Sequence, residues 1–169
     1  MEQKLIVVGV DGSETSVEAL RDAAAYARLL GANIRTITTW EYVPYDDVSG
    51  VFDPEREAAS AAEFVARAVF GETVPDWVTV DTVFGRAPET LVKASEKAIL
   101  LVVGSRGHNA AVRFLLGSTS TFCAARAHCP VLIVHQRDHG SSPAEPCTCA
   151  HDAHSGQRQT EPLQQKHRQ

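Results

Sequence analysis

Between Val103 and Thr119 the chain places glycines at 104, 107 and 117, with the hydroxyl pair Ser118-Thr119 directly after the last. The run before this stretch, Ile99 to Val103, is apolar and reads as a buried strand. The segment after it, Ser118 to Ala127, reads as a helix. A strand, a Gly-rich loop and a helix in this order present several backbone N–H groups to a phosphate. The helix N-terminus adds about half a positive charge, and small residues let a phosphate come close. Each glycine alone also suits an ordinary turn or a helix start. The whole spacing, Gly, two residues, Gly, nine residues, Gly-Ser-Thr, is what points to phosphate binding. Gly104, Gly107, Gly117, Ser118 and Thr119 are therefore candidate site residues. Arg106 and Arg113 flank the loop, within reach of a phosphate but equally suited to solvent, and neither is singled out.

The remaining pattern alternates strand and helix. Leu5 to Val10 reads as the first strand and Ser16 to Leu30 as a helix with Val17, Leu20, Ala24 and Ala27 on one face and Gly31 as its C-cap. Ile34 to Trp40 is a strand, Glu55 to Phe70 an alanine-rich helix, Val78 to Phe84 a strand and Glu89 to Lys97 a helix. The strand Ile99–Val103, the helix Ser118–Ala127 and the strand Val131–Val134 complete the domain. Continuous Val, Ile and Leu runs suit a parallel sheet covered on both faces. Right-handed crossovers then give an α/β fold, an open Rossmann-like three-layer sandwich. Its ligands bind beyond the C-terminal strand ends, where the strand order reverses. Asp11-Gly12-Ser13 after the first strand and Gly104-Ser105-Arg106-Gly107 after the fourth face one crevice if those strands are adjacent.

The length of 169 residues suits one domain with a sizeable core. A net charge of −5 supplies no electrostatic reason to bind nucleic acid. No run of about 18 apolar residues is present, so no transmembrane helix is expected. The start Met1-Glu2-Gln3-Lys4 lacks the regions of a signal peptide, and cytoplasmic residence is the expectation. Composition changes near Gln136, after which Leu163 is the single large aliphatic. Residues 138–169 read as a disordered polar tail and 1–137 as the domain. Within the tail, Cys147-Thr148-Cys149-Ala150-His151 and His154 are soft-metal ligand types without the folded knuckle of a structural zinc site. The tail reads as low-complexity sequence, and no metal-ligating side chains are assigned. Cys129 reads as a small buried apolar residue.

Asp11 has two readings: a carboxylate that meets a ribose or helps hold magnesium beside phosphates, or the N-cap of the following helix. Ser13 and Thr15 cap equally well. Other nucleotide motifs are missing: there is no Gly-Lys-Ser/Thr P-loop, and Gly9-Val10-Asp11-Gly12 lacks the third glycine of the dinucleotide fingerprint. A Gly-x-Ser-x-Gly elbow is also missing. His108 is placed to meet a terminal phosphate or to sit in the loop. No nucleophile, base and orienting group come together, so no catalytic residue is assigned. Trp40 and Trp77 read as packing residues, Trp40 near the presumed crevice.

Val7-Val8-Gly9-Val10-Asp11-Gly12-Ser13 with Ser16 and Ala19-Leu20 resembles the opening of universal stress proteins. Leu101 to Gly107, Leu115 to Ser120 and Cys129 to Val134 resemble their closing half, and Gly85-Arg86-Ala87-Pro88 with Leu91 their third loop. The resemblance spans residues 4 to 135. It implies a five-stranded parallel sheet of order 3-2-1-4-5, and ATP binding with Mg2+ as in the subgroup that keeps the glycine loop. It also implies Asp11 near ribose, phosphates or metal, and backbone near Thr39 at the adenine. Finally it implies a homodimer through the last strand. His108-Asn109-Ala110 replaces the extra glycines common after Gly107, and Ala98-Ile99 lacks the Asp usual before the fourth strand. The spaced glycines stay intact. The expected protein is a cytoplasmic ATP-binding regulatory or signalling module without membrane or nucleic-acid partners. A nucleotide-independent dimeric scaffold for protein partners and a slow ATP-hydrolysing or autophosphorylating enzyme are the alternatives.

Overall fold

A computed structural model describes residues 3–42, 53–105 and 116–136. Five strands alternate with four helices: β1 (Leu5–Gly9), α1 (Glu14–Leu30), β2 (Asn33–Trp40), α2 (Pro54–Phe70), β3 (Val78–Phe84), α3 (Ala87–Ser95), β4 (Leu100–Gly104), α4 (Ser118–Arg126) and β5 (Val131–Val134). All pairings are parallel, in the order β3-β2-β1-β4-β5. This is the expected doubly covered sheet.

The helix ends differ from expectation by a residue or two, for capping reasons. Ser13 caps α1, its hydroxyl accepting from the Ser16 N–H at 3.2 Å, so the helix starts at Glu14. Gly31 closes it in the left-handed region at φ 60°. Asp53 caps α2 in the same way through the Arg56 N–H at 3.2 Å. α3 starts at Ala87 because Pro88 fits a first turn, where its missing N–H costs nothing. Ser95 ends α3 and accepts from the His128 N–H at 2.9 Å, tying α3 to the connection between α4 and β5.

Strand alternation divides the core. Ile6 and Val8 of β1 and Ile34 of β2 pack with Leu20, Ala23 and Val65 on the face covered by α1 and α2. Val7, Ile37, Leu101 and Val103 pack with Leu91 and Cys123 on the face covered by α3 and α4. The largest of these side chains are wholly buried, and each contributes about 1.5–3 kcal/mol of transfer free energy. Cys129 is only partly buried, contrary to expectation, because it leads into the edge strand β5; Cys123 is the buried thiol. Trp77 meets Phe70 edge to face at 5.7 Å, in the expected packing role.

From β1 the chain crosses one way to β2, and β4 lies on β1's other side. The order reverses between β1 and β4, and a crevice opens there past their C-terminal ends.

Candidate nucleotide site

A cavity of about 1170 Å³ occupies that crevice. The ends of β1, β2 and β4, the start of α3, the first turn of α4 and the N-terminal half of α2 line it. Asp11, Thr39, Gly104, Gly117, Ser118 and Thr119 all lie in this lining. Gly107 falls outside the described residues, as do Arg106, His108 and Arg113.

The start of α4 is fastened from below. The Ser105 N–H donates to the Val134 carbonyl at 2.7 Å, and the Gly117 N–H donates to the Ser105 carbonyl at 2.8 Å. The Ser120 hydroxyl donates to the Gly117 carbonyl at 2.9 Å. Gly117 is the N-cap residue and supplies no side-chain acceptor. The first amides of a helix have no intrahelical partner. α1, α2 and α3 each carry an acidic residue in the first turn, and α1 and α2 also have a side-chain cap. Of the four helices, α4 alone has neither. Among the described residues no cap or first-turn acid compensates its positive end, which opens on the cavity through Ser118, Thr119 and Ser120.

Asp11 is not the cap of α1. Its Oδ1 accepts from the Ser13 N–H at 3.1 Å and from the Ser13 hydroxyl at 2.6 Å. Ser13 spends its one hydroxyl proton there, so Thr15 is the donor in the 3.0 Å Ser13–Thr15 contact. Asp11 is exposed at the cavity rim. Gly12 turns the chain from β1 towards α1 at φ +85°, and a Cβ there would lie 3.3 Å from that of Ala61 on α2.

Thr39 contributes backbone. The last bond between β1 and β2 runs from the Val10 N–H to the Ile37 carbonyl at 3.0 Å. On the other side, the Trp40 carbonyl accepts from the Gly85 N–H at 2.8 Å. Backbone groups alternate sides along a strand. Thr39 therefore directs its N–H and C=O to the β1 side, beyond the point where β1 has ended.

Several lining residues were not singled out from the sequence. Thr38 is 4 % exposed, and its Oγ1 has no hydrogen-bond partner among the described residues. Outside the lining, beneath the start of α4, the Ser105 hydroxyl shares that condition. Glu41, Glu57 and Arg86 add charge, and Arg86 is paired with Glu89 at 2.8 Å. Trp40 lines the cavity as well as packing, edge to face with Phe84 at 4.9 Å. The face of α2 formed by Glu57, Ala58, Ser60, Ala61 and Phe64 completes the wall. No group of three or more metal-ligating side chains occurs among the described residues. No described helix is long and apolar enough to cross a membrane.

A family profile described as "Universal stress protein family" matches residues 3–135. A universal stress protein of Mycobacterium tuberculosis is 34% identical over 151 residues, covering 81% of this chain and 50% of that protein. One from Mycolicibacterium smegmatis is 37% identical over 146 residues, covering 79% and 48%. The chain thus spans about half the length of the curated relatives it matches. Among solved structures, a universal stress protein in complex with cAMP superposes with a TM-score of 0.61 at 26% identity, covering 81% of this chain and 100% of that one. One from Archaeoglobus fulgidus in complex with dAMP gives 0.58 at 25% identity, covering 79% and 99%.

Proposed function

The chain belongs to the universal stress protein family, and from that premise we propose that it binds ATP with Mg2+ in the crevice between β1 and β4. In this reading it is a regulatory module that responds to nucleotide. The observation that carries the reading is the start of α4, without a side-chain cap or first-turn acid among the described residues, held against β4 and open to the cavity. Amides in this setting suit phosphate oxygens, and Gly104 and Gly117 leave room for them. Ser118 and Thr119 add hydroxyl donors. The Thr39 N–H and C=O form a donor–acceptor pair suited to the edge of adenine. Asp11 stands at the rim as an oxygen ligand for a magnesium ion carried by the phosphates. Two similar proteins hold cAMP and dAMP, which share an adenine and a phosphate.

Calorimetry with ATP, ADP and AMP, each with and without magnesium, tests the proposal. Affinity is expected to rise with phosphate number and with magnesium. Equal affinity for all three nucleotides would exclude the phosphate cradle. An absence of binding, with no nucleotide released from natively purified protein by mass spectrometry, would favour a scaffold that works without nucleotide.

A further inference from the structure

We infer that Phe64 is the platform on which the base of a bound nucleotide stacks, an assignment that rests on the nucleotide reading above. α2 turns Ala58, Ala62, Val65 and Ala66 to the core. Phe64 lies off that stripe and is 59% exposed, yet it lines a concave cavity. A lone exposed aliphatic such as Leu29, which is 81% exposed and outside this lining, is ordinary surface. An aromatic ring on a cavity wall is different, because it offers a flat apolar face to whatever occupies the cavity.

The surroundings favour a flat partner. Ser60 and Ala61, four and three residues earlier, put small side chains on the same helical face. Gly12 packs close against Ala61, where a Cβ would lie only 3.3 Å from that of Ala61, so small groups close the wall there. Phe64 is the one ring that α2 adds to the lining. Trp40, the other aromatic of the lining, is engaged edge-on by Phe84 at 4.9 Å. Phe64 makes no ring contact among the described residues. Glu57, one further turn back on α2, and Thr38 of β2 add acceptors to the lining.

The test compares wild type, Phe64→Leu and Phe64→Ala with two probes, magnesium ATP and base-free magnesium tripolyphosphate, by calorimetry. Phe64→Ala is expected to weaken ATP about tenfold or more, the scale of a lost base–aromatic stack, and to leave tripolyphosphate unchanged. Phe64→Leu keeps the apolar bulk and is expected to fall between. Proton NMR of bound ATP supplies a second readout that needs no base-free ligand. The adenine H2 and H8 signals are expected to shift upfield in wild type and to lose that shift in Phe64→Leu. Unchanged ATP affinity in both variants, equal losses for both probes, or adenine shifts indifferent to residue 64 would each overturn the assignment. Those results leave ATP binding by the wild type standing. If the wild type binds no ATP, the nucleotide reading itself fails and this assignment goes with it.

Discussion

The Gly117 N–H donates to the Ser105 carbonyl at 2.8 Å and so joins the end of β4 to the first residue of the α4 cap. Ser105 is itself held to β5 through Val134. The start of α4 is thereby fixed to the sheet.

Gly117 has φ −63° and ψ 159°, a conformation open to any residue. Gly117→Val therefore keeps the backbone and the bond to Ser105, while its side chain fills space beside the first-turn amides. ATP binding is expected to vanish by calorimetry. The melting temperature is expected to stay within about 2–4 °C, the shift that 1 kcal/mol produces in a domain of this size. Ser118→Ala removes one neutral hydrogen bond, worth about 0.5–1.5 kcal/mol, and is expected to weaken ATP by roughly tenfold or less.

Asp11 carries two duties that one substitution separates. Asp11→Asn keeps an oxygen to accept from Ser13, so the entry into α1 survives. The substitution removes the charge that would face a magnesium ion. ATP affinity is expected to fall, and the gap between affinities with and without magnesium is expected to narrow. A variant with the same magnesium dependence as wild type would remove Asp11 from the ion's surroundings.

Much of this was legible in linear order, for physical reasons. β1, β4 and β5 are continuous apolar runs because both sheet faces are covered, and β1 shows it in Ile6, Val7 and Val8, all wholly buried; β2 and β3 interleave Arg35, Asp81 and several threonines. Gly117-Ser118-Thr119 was legible because backbone amides need small neighbours. The strand order was not a matter of periodicity and came from the family resemblance. The role of Asp11 stayed open because Asp, Ser and Thr all cap helices, and only coordinates assign the cap to Ser13. The contribution of α2 was hidden for another reason. Glu57, Ser60 and Phe64 look like a solvent face, and only the crossover brings that face to the cavity. Thr38 was hidden likewise, since nothing local marks a threonine whose hydroxyl goes unpaired.

Burial pushes the Cys123 thiol up from 9.0 to about 11. The fold disfavours the thiolate, whereas the unfolded chain ionises near 9.0. The corresponding stability is fully present below pH 9 and is lost as pH rises through about 11. The loss amounts to about 2–3 kcal/mol. Denaturant titrations of wild type and Cys123→Ala at pH 8 and pH 11 isolate it, because the cavity left by alanine does not change with pH. The stability difference between the two proteins is expected to shrink by that amount at pH 11. A difference independent of pH would show that the thiol ionises freely in the folded protein.

The outer edge of β5 predicts a homodimer. The Leu101 N–H donates to the Pro130 carbonyl and the Ser105 N–H to the Val134 carbonyl. Backbone groups alternate sides along a strand, so Val131 and Ile133 direct their N–H and C=O away from β4. β5 ends the sheet with the sequence Val-Leu-Ile-Val, while the opposite edge, β3, carries Thr79, Asp81 and Thr82. An apolar edge with open backbone groups pairs with a second copy, and polar residues discourage such pairing. Light scattering at micromolar concentration is expected to give twice the chain mass. Leu132→Lys is a blunt probe because Leu132 packs on the α1/α2 face of the core. Ile133→Pro deletes an outward N–H and spares the bonds to β4, and because Ile133 packs on the α3/α4 face of the core, Ile133→Ala serves as the control for its lost side chain. The proline variant is expected to yield a folded monomer at the same concentration. A wild-type monomer, or a proline variant that remains fully dimeric, would rule out pairing through this edge.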